Sequence, residues 1–409
     1  MLLLIAFGLH PSAAQTVRPV GTVEELRALL STPIESIDIR LAPGTYHLIP
    51  TSHIEETCGN CADSTVDVRY TRGLRVSGRN VRIIGPADRS AELATHSGYG
   101  ILVEDCKDCT LENLTITSGE RDTAVNASDA AVVVRNSSVR IINNRIAGNI
   151  GDSTRVVRAV AGIMGIYGRE GSDMLIEGND IMRNSWNGIG LYRSARAMIR
   201  GNVIDGVDDS VGTRIGGGRG IGIDLSWNAT ATVEDNLVRR YWQGIGVFQN
   251  ANATIRHNVI EDIVARGIFY WDGDSGKPRA AIVENIIYST GACGASISRS
   301  TEGSDPGRFE RNLLVGTAQN SKYDSPDAYC YQCALAQHAV PADFVIRDNV
   351  YFDNRRADTS LPSFNNSDEV FYRAVREWCT PFAILPVMSR SNFVRRYCSD
   401  VGEIESGRP

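Results

Sequence analysis

Four ionisable residues stand out for the company they keep. Asp224 lies in "GIDLSW", Arg169 in "GIYGR", Arg219 just ahead of the first of these, and Asp272 directly after "GIFYW". Carboxylates move protons, and guanidinium groups hold anions through paired hydrogen bonds. Tyr167, Tyr192, Arg193, Ser226, Trp227, Phe248, Phe269 and Trp271 fall in the same short phrases or in close copies of them. Flat rings beside Asp, Arg and Ser suit the apolar faces and hydroxyls of sugar rings. The first four are the candidate catalytic residues, and the others the candidate substrate-binding residues. Asp208, Asp209, Arg214, Asp274, Lys277 and Arg299 lie in adjoining segments.

These phrases share a frame. "GIYGR", "GIGLY", "GIDLS", "GIGVF" and "GIFYW" begin at Gly165, Gly188, Gly222, Gly244 and Gly267, and each alternates as a strand does. Alternation turns Ile166, Ile189, Ile223, Ile245 and Ile268 inward. Outward there remain two files, Tyr167, Gly190, Asp224, Gly246, Phe269 and Arg169, Tyr192, Ser226, Phe248, Trp271. Tyr270 points in and fills the core. So contiguous an aromatic surface marks a binding groove, unless the long insertions at 151–162 and 208–220 cover it.

A second phrase repeats alongside, as "TLENLTI", "RIINNRI", "LIEGNDI", "MIRGNVI", "TVEDNLV", "TIRHNVI", "AIVENII", "RFERNLL" and "VIRDNVY". Its asparagines are Asn113, Asn144, Asn179, Asn202, Asn236, Asn258, Asn285, Asn312 and Asn349, the nearest neighbours 22 or 23 residues apart. Twenty-two extended residues trace roughly 70 Å, one turn of a broad coil, and such turns stack as parallel strands ~4.8 Å apart. Glu177, Arg200, Glu234 and Arg256 then form a ladder of alternating charge. Asparagine at a recurring corner suits a left-handed backbone and can bond to the asparagine stacked on it. His257, beside one such corner, reads as a turn residue.

On these phrases the chain resembles a right-handed parallel β-helix of the pectate-lyase-like superfamily, over about residues 35–353. The resemblance implies an all-β solenoid and carbohydrate chemistry, usually on acidic polysaccharides. A lyase of this kind needs a cation or Arg on the uronate carboxylate and a Lys, Arg or His base for the C5 proton. A hydrolase needs two carboxylates. The sequence departs from the well-known patterns, lacking the Trp-Ile-Asp-His element of pectate lyases, the paired-Asp and Gly-His-Gly elements of polygalacturonases and the Asp-Pro-His-Asp element of alginate epimerases. A non-catalytic carbohydrate-binding or cell-surface structural solenoid is therefore the alternative.

The remaining signals bound the setting. "MLLLIAFGLHPSAA", residues 1–14, reads as a secretory leader. The expected product is secreted, periplasmic or on the cell surface, a monomer without a transmembrane segment. A net charge of −6 argues against a nucleic-acid partner. Nine cysteines fit an oxidising compartment. Cys58/Cys61, Cys106/Cys109 and Cys330/Cys333 have Cys-x-x-Cys spacing, with four-cysteine zinc as the alternative to disulfides. Cys379 and Cys398 are suited to pin C-terminal helices over the last turn, and Cys293 is left over. "DGDSG" at Asp272–Gly276 resembles half of a calcium loop but lacks the later acids. Helical spacing at Thr22–Leu30 places an end-cap helix within residues 15–34, and residues 354–409 form a C-terminal cap and tail.

Overall fold

The computed structural model describes residues 15–59, 61, 63–151, 161–206, 219–272, 276–298, 306–325 and 331–398. The leader lies outside these residues, as do Asp208, Asp209, Arg214, Asp274, Arg299, Cys330 and most of the insertions at 151–162 and 208–220. Each central turn supplies three strands, such as Ile221–Leu225, Thr230–Glu234 and Leu237–Arg239. Among the described residues the first two strands of successive turns join one 22-stranded sheet, and the third strands form an 11-stranded sheet. The solenoid thus has three walls, and the pairing from turn to turn is parallel. Ile166, Ile189, Ile223, Ile245 and Ile268 are register partners with fully buried side chains, as alternation requires. Together with the Val and Leu of the other walls they make one continuous core.

The charge ladder is present on the second wall. Glu177, Arg200, Glu234 and Arg256 are successive partners, with Arg200–Glu177 at 2.9 Å and Arg256–Glu234 at 2.6 Å. These exposed pairs contribute only tenths of a kcal/mol each.

The asparagines stabilise the stack more strongly, through the expected bonds from one to the next but from a different backbone position. It is the residue before each asparagine that takes the left-handed conformation, for example Asp235 at φ 59° and His257 at φ 53°. The asparagine itself points into the coil. Asn236 Nδ2 donates to Ile199 O and Glu234 O, both at 2.9 Å, and to Asn258 Oδ1 at 3.0 Å. Its Oδ1 accepts from the Asn202 N–H and side chain. The same link runs unbroken from Asn144 to Asn349. Asn113 stands outside it. Asn113 occupies the left-handed corner at φ 56°, and Leu114 takes the ladder position. An Asn236→Ala protein should lose about 2–3 kcal/mol, because several buried donors and acceptors are orphaned at once. Chemical denaturation checks this, and a loss under about 1 kcal/mol would mean that water replaces the amide.

Both ends are closed. The strand Thr16–Val20 adds to Ile37–Leu41, and the helix Val23–Leu29 places Leu26 on the core. Its capping box is complete, since Thr22 Oγ1 accepts from the Glu25 N–H at 3.2 Å and Glu25 Oε2 from the Thr22 N–H at 3.2 Å. At the far end Phe344 stacks on Tyr270 and Phe364 on Tyr351.

The C-terminal helices Asp368–Ala383 and Asn392–Tyr397 are joined by the Cys379–Cys398 disulfide. Rather than capping the last turn, they lie along the outside of the third wall. Phe371, Trp378, Phe382 and Phe393 pack there against Val203, Leu237, Val259, Ile286 and Leu313. The reason is visible in the later third-wall strands, whose first residues, Val203, Leu237, Val259, Ile286, Leu313 and Val350, form an apolar outward column that needs cover. Glu261, buried on that wall, accepts from the N–H groups of Asn392 and Phe393 and from Ser391 Oγ, all at 2.8–3.0 Å. It thus satisfies the N-terminus of the shorter helix. The Cys58–Cys61 and Cys106–Cys109 pairs are also disulfides.

Candidate functional site

The outward file of the first wall has the register read from sequence, Tyr167 on Gly190 on Asp224 on Gly246 on Phe269. Backbone bonds from Tyr192 to Gly168, Ser226 to Leu191 and Phe248 to Leu225 keep the second file in step. The two glycines decide what happens next. A Cβ on Gly246 would stand 2.4 Å from the Phe248 ring, and one on Gly190 2.9 Å from Met164 Sδ. Without those carbons, the neighbouring side chains fold over the gaps on either side of Asp224.

Asp224 is left in a well of side chains formed by Asn187, Tyr192 and Ser226, 7% exposed. Its Oδ2 accepts from the Tyr192 hydroxyl at 2.5 Å and from Asn187 Nδ2 at 3.0 Å, and its Oδ1 accepts from Ser226 Oγ at 2.9 Å. Burial pushes the carboxyl above the usual carboxylate range, and the three donors only partly oppose this. The Tyr192 phenol is pushed well above its ordinary value by burial and then by the Asp224 charge beside it. Burial thus keeps the Tyr192 proton on the phenol and makes the Asp224 carboxylate more basic than usual.

The rim of the well is cationic and aromatic. The Arg193 guanidinium lies 5.1 Å from the Trp227 ring centre, and the Arg219 guanidinium 5.7 Å from that of Trp186. Trp227 meets Tyr192 edge-on at 5.1 Å. Both tryptophans are half-buried. Further along the wall Phe248, Phe269 and Trp271 form a second aromatic group, with Arg266 5.0 Å from the Phe269 ring centre.

The face is not open along its whole length, which corrects the simple groove read from sequence. Between the antiparallel strands Thr51–Glu55 and Val68–Arg72 the chain crosses the outside of the first wall. Arg169 is fully enclosed there. It donates to both oxygens of Glu55 at 3.1 and 2.9 Å and to Glu170 at 2.5 Å, and also bonds to Thr57. A side chain so engaged holds the cover down and is not presented to a ligand. Tyr167 is also sealed, since a Cβ on Gly59 of the covering loop would stand 2.3 Å from its hydroxyl. Arg193 donates to the carbonyls of Gly59 and Cys61, so the loop's edge also forms one side of the well. Phe269 is 5% exposed, covered by its neighbours, while Phe248 and Trp271 remain partly accessible.

Asp272 is buried and lies away from Asp224. Two turns of ~4.8 Å and three residues of ~3.3 Å separate their backbones by roughly 14 Å. His257 occupies its corner 2.8 Å from Glu284 on another wall and takes no part in the well. Among the described residues no cluster of three or more His, Cys, Asp or Glu is arranged to hold a metal ion.

The structure thus brings together Asp224, Tyr192, Ser226, Arg193, Trp227 and Arg219. It sets Arg169 and Tyr167 under the cover, and Phe248, Phe269, Trp271 and Asp272 along the wall. Sequence reading missed Asn187 and Trp186, although both sit directly before "GIGLY" in "NSWNGIGLY". It also missed Glu55, for which no local signal exists.

Three stacked parallel walls with a side-chain well on one of them define a parallel β-helix. The sequence profile of the right handed beta helix region matches residues 70–305, more than half of the 409, and the chain belongs to that family. No curated protein matches its sequence. Solved structures similar in fold include a periplasmic alginate epimerase at 12% identity and TM-score 0.45, matched over 77% of this chain and 60% of its own length. This chain therefore spans less than two thirds of that protein. An exopolygalacturonase from Thermotoga maritima is similar at 11% identity and TM-score 0.47, over 84% and 85% of the two chains. A mannuronic acid specific family 6 lyase from human gut microbiota is similar at 12% identity and TM-score 0.42, over 96% and 100%. These likenesses concern the fold alone. No helix of the described residues is long and apolar enough to cross a membrane.

Proposed function

We propose that the chain is an exported enzyme that cleaves an acidic polysaccharide by β-elimination at the Asp224 well. The observation that carries this reading is a single buried carboxylate bound to a tyrosine hydroxyl under a rim of arginines stacked on tryptophans. Arg219 and Arg193 would hold the uronate carboxylate, which acidifies the C5 proton. Tyr192 would take that proton as it passes its own to Asp224. The C–H electrons would form the C4–C5 double bond, the C4–O4 bond would break, and the departing oxygen would take a proton from Tyr192 while Asp224 returns its own to the phenol. Trp186 and Trp227 would carry the sugar faces. Hydrolysis is less well supported, because it needs a second carboxyl group within about 9.5 Å, and the backbone of the candidate acid Asp272 lies roughly 14 Å from that of Asp224.

The test is to incubate the protein with polygalacturonate, alginate and neutral glucans and to follow ultraviolet absorbance from unsaturated ends. Turnover is expected on a uronate polymer alone, and reducing ends without unsaturation would overturn the elimination. In an active protein Arg219→Ala should raise KM for the polymer by about tenfold or more, the loss of one charge-assisted contact. An unchanged KM would remove Arg219 from the site.

A carbohydrate-binding role without catalysis is the second reading, favoured by the low exposure of Asp224 and Tyr192. There, Trp227→Ala should abolish binding, Asp224→Asn should leave it intact, and no substrate should be turned over.

A further inference from the structure

On the third wall, remote from the Asp224 well, the longer C-terminal helix and the last turns border an open cavity of about 750 Å³. Asp368, Tyr372 and Arg376 follow one another at intervals of four along that helix. They therefore stand one above another on a single face, and all three line the cavity. Tyr372 is 46% exposed, although Phe352 and Phe371 support its ring from behind. Opposite it Arg396 lies over the Tyr397 ring and receives support from Tyr288, while Asp353 adds a carboxylate.

We infer that this cavity is a second, non-catalytic carbohydrate site that holds one pyranose unit of a glycan. The chemistry is an aromatic platform for the apolar face of a sugar ring. Planar acid and guanidinium groups one helical turn to either side are placed to meet the ring hydroxyls. The volume lies within the range of small-ligand clefts. Acids and arginines are balanced around it, so recognition rests on hydroxyls and ring face rather than on net charge. Neutral and acidic sugars are therefore both accepted, unlike at the arginine-rimmed well. The ligand class rests on the carbohydrate reading given above, but the residues are different ones.

Calorimetric titration with hexasaccharides of galacturonate, mannuronate and glucose tests it, using Asp224→Asn to stop turnover. Three proteins are compared, namely that variant, the same variant with Arg219→Ala and Trp227→Ala to disable the well, and the latter with Tyr372→Ala. Binding that survives disabling of the well and weakens about tenfold on Tyr372→Ala supports the site. Binding lost with the well alone overturns it while leaving the proposed function standing. Binding that survives both disabling and Tyr372→Ala also overturns it. Failure of the first protein to bind any of the three overturns this inference and the carbohydrate reading together. An unchanged melting temperature of the Tyr372→Ala protein checks that a loss is not due to misfolding.

Discussion

Asp224→Asn should lower turnover by about 10²–10⁴-fold, the usual effect of removing a positioned acid–base group, without destabilising the protein. The geometry makes both halves of that outcome expected. An asparagine oxygen can still accept from Tyr192 and Asn187, and its amide can donate to Ser226 Oγ, so the well stays hydrogen-bonded. What disappears is the proton acceptor. The stability effect follows from the direction of the shift. Burial raises the folded-state pKa of Asp224 above its unfolded value near 3.9. The carboxyl's contribution to stability is then greatest below the unfolded pKa and is lost as pH rises through the folded one. Once the pH exceeds the folded-state pKa the native chain holds a carboxylate against its preference, and asparagine relieves this. The variant should therefore melt at or above the native temperature at about pH 7, with the margin shrinking towards about pH 4. The native pH–rate profile should rise with pH through the raised pKa, and the variant should lack that limb. A variant that melts well below the native protein at neutral pH would show Asp224 to be a structural residue.

The second large effect concerns Arg169. Arg169→Met should destabilise the protein by about 3–5 kcal/mol, because it leaves Glu55 as a buried carboxylate with too few partners. Tyr99 donates to Glu55 at 2.6 Å and Arg135 approaches at 3.4 Å, but the paired bonds of Arg169 are gone. Lysine at this position should rescue little, because one ammonium cannot replace a two-pronged contact. The loop between Thr51–Glu55 and Val68–Arg72 should loosen first, and with it the carbonyls that hold Arg193. Hydrogen exchange across Glu55–Asp67 and denaturation midpoints check both parts. A change below about 1 kcal/mol would show that the cover is held by other contacts.

The contrast between Arg169 and Asp224 shows what the sequence made legible. Period and register were readable because five successive turns bury the same inward Ile, and a one-residue slip would have sent Ile223 to solvent and Asp224 to the core. The files containing Asp224 and Phe248 therefore came out right. The partner of Arg169 is 114 residues away, in a hairpin that interrupts the repeat, and no periodicity points to it. The corner asparagines were misplaced by one residue for a similar reason. Composition identifies a turn, but the choice between Asp235 and Asn236 for the left-handed position is made by the buried amide bonds from turn to turn. The C-terminal helices were legible as helices from their apolar spacing, whereas their resting place depended on which wall had an apolar exterior.

That resting place governs how the molecule yields to force or to proteases. A stack in which each coil touches only its neighbours can unzip from a free end one layer at a time. Here Arg390 reaches Asp180, Ser391 and Asn392 hold Glu261, and Phe393 lies against Tyr288. The tail thus works as a splint laid across several layers, and fraying at the last coil must first prise it away. The splint is closed on itself by a covalent link between Cys379 and Cys398, so a reductant should convert one concerted collapse into gradual peeling.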